Sequence, residues 1–245
     1  MHVYLLAQTD GTVPTGNDWL CANEILSLNG MRFAKRRADW RLGRWTAKHA
    51  VASFLNLPAS PRALARIEIR PASSGAPEVF VANRCLPVTI SLSHRAGGAL
   101  CAVAPFGVRL GCDLEVIEPR STAFVTDYFT AEEQDLVVRT SPAEQPRILA
   151  MLWSAKESAL KALREGLRLD TRSVGVRPAV GTCDLFGWSP VHVRCTDGQM
   201  FRGWWQSTGN ILRTVVADPF PDPPISLRIP ARFLNDAPFV MNHPA

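Results

Sequence analysis

Apolar and polar positions change period several times along the chain, and each change marks an element. Val3–Ala7 is an apolar run of strand length, and Gly11–Asn17 carries the residues of a loop. Helical spacing takes over at Asp18–Leu28 and again at Arg36–Leu55, which stops before Pro58. Short runs at Ile67–Arg70, Glu78–Val81, Thr89–Leu92 and Ala99–Ala104, punctuated by Pro, Gly and Ser, predict strands. Leu110–Val116 opens a second series. Thr130 with Glu133 three residues on predicts a capping box for a helix over Ala131–Arg139. A helix over Arg147–Arg164 follows, then strands near Val174–Val176, Val191–Cys195, Met200–Gln206 and Ile211–Ala217. Asp218–Pro224 is Pro-rich, and residues 226–245 read as a tail.

The two series resemble each other. Arg44-Trp45-Thr46-Ala47-Lys48 lies 108 residues before Leu152-Trp153-Ser154-Ala155-Lys156, with Trp, Ala and Lys identical. The same offset lays Val3–Ala7 over Gly111–Glu115, so each half begins with a strand and later presents a W-[ST]-A-K helix. His49 stands in the first half where Glu157 stands in the second. The expected architecture is therefore α+β, a pseudo-dimer of two similar α+β halves. The first covers residues 1–106 and the second 107–225, with one active site in the cleft between them.

Candidate chemistry concentrates in the second half. Alternation along Leu110–Val116 sets Asp113 and Glu115 on one face, about 7 Å apart, opposite Cys112, Leu114 and Val116. In the Arg147–Arg164 helix, Ile148, Leu152, Ala155, Ala159 and Leu163 form the apolar stripe. Trp153, Glu157, Lys161 and Arg164 form a separate stripe. Hard carboxylate oxygens with lysines beside them suit Mg²⁺ and phosphate. The same residues also fit a solvated strand face and an ordinary helix ion pair. In the first half, Arg37, Arg41, Arg44 and Lys48 fall on one side of the Arg36–Leu55 helix. That pattern fits either an anion site or a solvated basic face.

Composition narrows the classes. Apolar residues make up 47% and charged residues 20% of 245, a globular balance, and the formal charge of +5 favours anionic partners. The six cysteines show no zinc-ligand spacing and read as buried thiols in a reducing compartment. No run is long enough to span a bilayer, and the N-terminus lacks the features of a secretion signal. The expectation is a soluble, cytoplasmic, monomeric protein with no membrane and no nucleic-acid partner. Helix-turn-helix, zinc-finger and RNP-type signatures are absent from the sequence.

The residue strings themselves add a resemblance. G-C-D-L-E at Gly111–Glu115, F-T-A-E-E at Phe129–Glu133 and W-S-A-K-E-S-A-L-K-A-L at Trp153–Leu163 resemble the 4′-phosphopantetheinyl transferases, specifically the long, surfactin-synthetase-activating type. S-L-S-H at Ser91–His94 and L-G-R-W-T-A-K at Leu42–Lys48 fit as well. The resemblance implies transfer of 4′-phosphopantetheine from coenzyme A to a serine of an apo acyl or peptidyl carrier protein, releasing adenosine 3′,5′-bisphosphate. It implies Mg²⁺ on Asp113, Glu115 and Glu157, with Glu157 taking the serine proton and Lys161 stabilising the pyrophosphate. It further implies coenzyme A contacts from Arg37, Arg41, Arg44, Lys48, Gly75, Ser93, His94 and Lys156. Gly75-Ala76-Pro77 occupies the family's G-[KR]-P turn, so Ala76 lacks the usual cation and an arginine elsewhere would have to replace it. Two other readings of the acidic and basic residues stand beside this one: a Mg²⁺-dependent phosphoesterase or nuclease, and a non-enzymatic basic nucleic-acid-binding module.

Overall fold

In the computed structural model, which describes residues 1–165, 169–179 and 183–229, the elements follow the predicted series closely. The first series runs β1 (Tyr4–Thr9), α1 (Ala22–Asn29), α2 (Ala34–Phe54), α3 (Pro61–Leu64), β2 (Ile67–Pro71), β3 (Pro77–Val81), β4 (Arg84–Cys85), β5 (Val88–Arg95) and β6 (Gly98–Pro105). The second runs β7 (Arg109–Val116), α4 (Thr122–Tyr128), α5 (Ala131–Arg139), α6 (Gln145–Ala162), β8 (Val174–Pro178), β9 (Ser189–Cys195), β10 (Met200–Thr208), β11 (Ile211–Asp218) and β12 (Ile225–Ser226). The fold is α+β. Its strands form one sheet in the order β12-β1-β6-β5, a second in the order β7-β11-β10-β9-β8, and a small sheet β2-β3-β4.

Alternation along single strands decides what packs where. On β6, Cys101 and Val103 join the core under α2, whereas Leu100, Ala102 and Ala104 face the second sheet. On β7, Leu110, Cys112 and Leu114 meet that same inter-sheet layer, which also takes Val3 and Leu5 from β1. The other face of β7 lies under α6, whose stripe of Leu152, Ala155 and Ala159 is buried as its period predicted. Gly111 is what lets α6 come so close. A Cβ there would stand 1.7 Å from the carbonyl oxygen of Ser158. That neighbour is helix backbone, so it has no rotamer escape. Gly111→Ala should therefore cost about 3 kcal/mol, the upper end of overpacking effects. A urea midpoint equal to that of the parent would show the helix to be less tightly seated than described.

The repeat extends beyond the W-[ST]-A-K strings. Lys48 is buried against Glu24, and Lys156 against Glu133. Both glutamates are third residues of capping boxes, opened by Cys21 and Thr130. Each also accepts a backbone N–H from the following strand, Ile69 for Glu24 and Val176 for Glu133. Each lysine donates its remaining bonds to carbonyls, of Trp19 and Leu64 in one case and of Thr171 and Val174 in the other. The strand correspondence differs by one residue from the 108 offset. At that offset Asp113 would match Leu5, which faces the other sheet, whereas Leu6 is the residue that faces α2. A one-residue shift exchanges the two faces of a strand.

Two elements stand outside the predicted series. α4, unmarked by any pattern in the sequence, starts at Ser121, whose hydroxyl accepts the Phe124 N–H. β12 overlaps the expected tail only at Ser226: it pairs parallel with β1, and Leu227 N–H donates to the Leu5 carbonyl, which packs the start of that segment on the fold. Residues 230–245 of that tail lie outside the described residues.

Candidate active site

β5 and β7 are edge strands of different sheets, and they are joined by side chains. Every second residue of β5 reaches across. The Ser91 hydroxyl accepts the Cys112 N–H at 3.0 Å, Ser93 donates to Asp113 Oδ1 at 2.8 Å, and Arg95 lies 3.6 Å from Glu115. α6 closes the seam from the side. Lys161 Nζ donates to the Cys112 carbonyl at 3.1 Å and to Asp113 Oδ1 at 2.7 Å. Thr214, paired with Asp113 across β7–β11, hydrogen-bonds to both Ser154 and Ser158 and fixes the height of the helix over the sheet.

The three carboxylates are not equivalent. Glu115 is engaged on both oxygens, by Trp153 Nε1–H at 3.2 Å on Oε1 and by Arg120 at 3.2 Å on Oε2. Asp113 is 4% exposed, and its Oδ2 is buried with no hydrogen-bond partner. Burial raises the Glu157 carboxyl above its ordinary range. Lys161 opposes that shift, and Asp113 and Glu115 reinforce it. Glu115 is raised by burial and by Asp113, against Arg95 and Arg120. Burial works against charge on Lys161, yet Asp113 beside it holds the ammonium above the usual lysine range.

Among the described residues, no three His, Cys, Asp or Glu side chains stand in an arrangement that would ligate one ion. The expected cage of Asp113, Glu115 and Glu157 is therefore not preformed. The physical reason is the competition for Glu115 from Trp153, Arg95 and Arg120.

A cleft of about 900 Å³ adjoins the seam. Ser93 and Lys161, the two groups that hold Asp113, line it, and so do His94, Gly75 and Arg44. Arg44 lies over the Trp40 ring at 4.8 Å. His94 is exposed at the cleft edge, and desolvation lowers its imidazole below the usual range despite Asp39 nearby. Ala76 lies in the wall as expected. The cations that sequence reasoning missed are Arg70, held by Glu68 and Asn83, and Arg109 and Arg164. The outward position of Arg70 in the alternating run Ile67–Arg70 was the available signal for the first of these.

The remaining expected coenzyme contacts lie elsewhere. Lys48 and Lys156 are fully buried partners of Glu24 and Glu133, and burial lowers both ammonium groups. Arg37 donates to the carbonyls of Met31 and Arg32. Arg41 clamps those of Pro14, Thr15 and Gly16. The basic stripe on α2 thus divides, and only Arg44 lines the cleft. His49 is buried against Trp45 with its ring pulled down to about 4 by desolvation, so it is neutral.

The likeness to a known family falls on the segment from β7 through β9. Residues 109–195 match the family model of the 4′-phosphopantetheinyl transferase superfamily. The match contains the G-C-D-L-E strand and the W-S-A-K-E helix that build the seam. No curated protein matches the chain. Among solved structures, a holo-(acyl-carrier-protein) synthase from Bacillus anthracis str. Ames in complex with CoA (3′,5′-ADP) aligns over 42% of this chain and 92% of its own, at 20% identity and a TM-score of 0.35. No helix among the described residues is long and apolar enough to cross a membrane.

Proposed function

We propose that the protein transfers 4′-phosphopantetheine from coenzyme A to a serine hydroxyl of an apo acyl or peptidyl carrier protein. The observation that carries this reading is the junction of a cation-lined cleft with a buried carboxylate cluster, both held at Ser93 and Lys161. The superfamily match over residues 109–195 supports it. On this reading the protein has two halves, 1–106 and 107–225, and is cytoplasmic and monomeric.

The donor set suits Mg²⁺. Asp113 Oδ2 is a buried hard oxygen without a partner, and the half-buried Glu157 carboxylate feels the charges of Asp113 and Glu115. Mg²⁺ is usually held by one or two carboxylates, with waters and substrate phosphates completing its octahedron, so an all-protein cage is not required. Asp113 and Glu157 would hold the ion, with Glu115 beside them. When bound, it neutralises pyrophosphate charge as the P–O bond breaks.

The chain's own residues do the rest. Glu157, desolvated and therefore more basic than an exposed carboxylate, takes the proton of the carrier serine. The serine oxygen bonds to the phosphorus nearer the pantetheine, and the bond from that phosphorus to the bridging oxygen breaks. Adenosine 3′,5′-bisphosphate leaves with the electron pair, and Lys161 stabilises the charge that collects there. Arg44 and His94 orient the nucleotide end, with Arg70 the candidate for the cation that Ala76 lacks.

The test is the intact mass of an apo carrier protein after incubation with this protein, coenzyme A and Mg²⁺. A gain of one phosphopantetheine arm, abolished by EDTA, is the expected result. No gain on several unrelated carriers would overturn the reading. Arg44→Ala should raise the KM for coenzyme A about tenfold with kcat little changed, the signature of lost uniform binding. An unchanged KM removes Arg44 from the substrate site.

A further inference from the structure

Asp113 is held asymmetrically. Oδ1 accepts from Ser93 at 2.8 Å and from Lys161 at 2.7 Å, while Oδ2 is buried and accepts from nothing. A buried carboxylate oxygen without a donor is costly, and such a group calls for an occupant. The asymmetry has a source. An aspartate carboxylate turns readily about its terminal bond, and an ammonium has three donors, so Lys161 alone would be free to bridge both oxygens. A second donor fixed on Oδ1 prevents that. Ser93 is fixed, because it is 8% exposed on a strand whose neighbours Ser91 and Arg95 also reach across the seam.

We propose that Ser93 is a positioning residue: its hydroxyl commits Asp113 Oδ1 to the seam and so keeps Oδ2 open for a divalent cation. The inference rests on the transfer reading above and deepens it. It moves Ser93 from a coenzyme contact to a group that acts through Asp113. It also separates Asp113 from Glu115, whose two oxygens are both committed to Trp153 and arginines.

The experiment is a Mn²⁺ titration, with Mn²⁺ standing in for Mg²⁺, followed by electron paramagnetic resonance with coenzyme A present. Wild type is compared with Ser93→Ala, Ser93→Thr, Ser91→Ala and Asp113→Asn. Loss of a hydrogen bond to a ligating carboxylate typically weakens metal binding 10- to 100-fold. Ser93→Ala should therefore weaken Mn²⁺ binding about tenfold, and its turnover should recover at high Mg²⁺. Ser93→Thr, which keeps the hydroxyl, should stay within about threefold of wild type. Ser91→Ala, which removes the neighbouring seam bond, should leave Mn²⁺ affinity unchanged. Wild-type affinity in Ser93→Ala overturns the inference. So does an equal loss in Ser93→Ala and Ser91→Ala, which would mean that the seam as a whole had loosened. Failure of the underlying reading looks different: Asp113→Asn would then bind Mn²⁺ as well as wild type.

Discussion

A Glu157→Gln variant should bind coenzyme A about as well as the parent and transfer its pantetheine arm roughly 10²- to 10⁴-fold more slowly, the range expected for loss of a general base. The substitution keeps shape and removes both the ability to accept a proton and a carboxylate ligand, so the rates are compared at saturating Mg²⁺. Folding should be little affected, since Glu157 is only half-buried and Gln keeps its volume. The parent should also show a telltale pH dependence. Burial, reinforced by Asp113 and Glu115, raises the Glu157 carboxyl above the ordinary glutamate value of 4.5. A base must be ionised to act, so kcat/KM should fall as the carboxylates take up protons at low pH, and added Mg²⁺, which favours the ionised carboxylate, should move that limb to lower pH. The midpoint of that limb belongs to the coupled carboxylates together, because Glu115 is raised as well. Single-turnover transfer to a carrier protein, measured across pH, checks both statements. Parent-like rates in Glu157→Gln would remove Glu157 from the chemistry.

The second large effect concerns stability. Glu133→Ala should cost about 3–5 kcal/mol, because it leaves the Lys156 ammonium buried without its carboxylate. It also strips the acceptor from the N–H groups of Thr130 and Val176. Against a typical total of about 5–15 kcal/mol, that brings the chain close to unfolding. Glu24→Ala should behave alike, since Lys48, Cys21 and Ile69 depend on Glu24 in the same way. A double variant, Glu133→Ala with Lys156→Met, should recover only part of the loss. It removes the stranded charge but still leaves two N–H groups and the carbonyls of Thr171 and Val174 unanswered. Urea unfolding of the three variants gives the comparison. Full recovery in the double variant would mean that only the charge mattered.

Much of this molecule is legible as periodicity. The strand that carries Cys112 alternates between two faces, the one that carries Cys101 is an apolar run buried on both, and the stripe of α6 buries as its spacing dictates. Alternation also sets Asp113 on the face of β7 opposite Cys112, although the sequence left a solvated strand face open for it. Lys48 and Lys156 were misread because a lysine on a helix carries no local mark of burial. Their signal was remote, in two glutamates that follow Cys21 and Thr130 at capping-box spacing, one in each series. Arg37 and Arg41 share a helix face with Arg44, but periodicity gives direction and not reach. Their long side chains turn to backbone carbonyls in two different loops, Arg37 to the one between α1 and α2 and Arg41 to the one before α1. α4 and β12 escaped because one is short and rich in β-branched and aromatic residues, and the other is two residues beside prolines.

The pairing of β12 with β1 bears on synthesis. β1 is translated long before β12, so one of its edges stays bare until Ile225 and Leu227 emerge to bond with Val3 and Leu5. Throughout most of elongation the nascent chain thus exposes an unpaired strand edge beside an apolar patch that Leu227 and Ile229 later cover. Such edges recruit other strands. Chains truncated before residue 225 should therefore aggregate more readily than full-length ones, although every residue of the cleft and the carboxylate cluster has already been made.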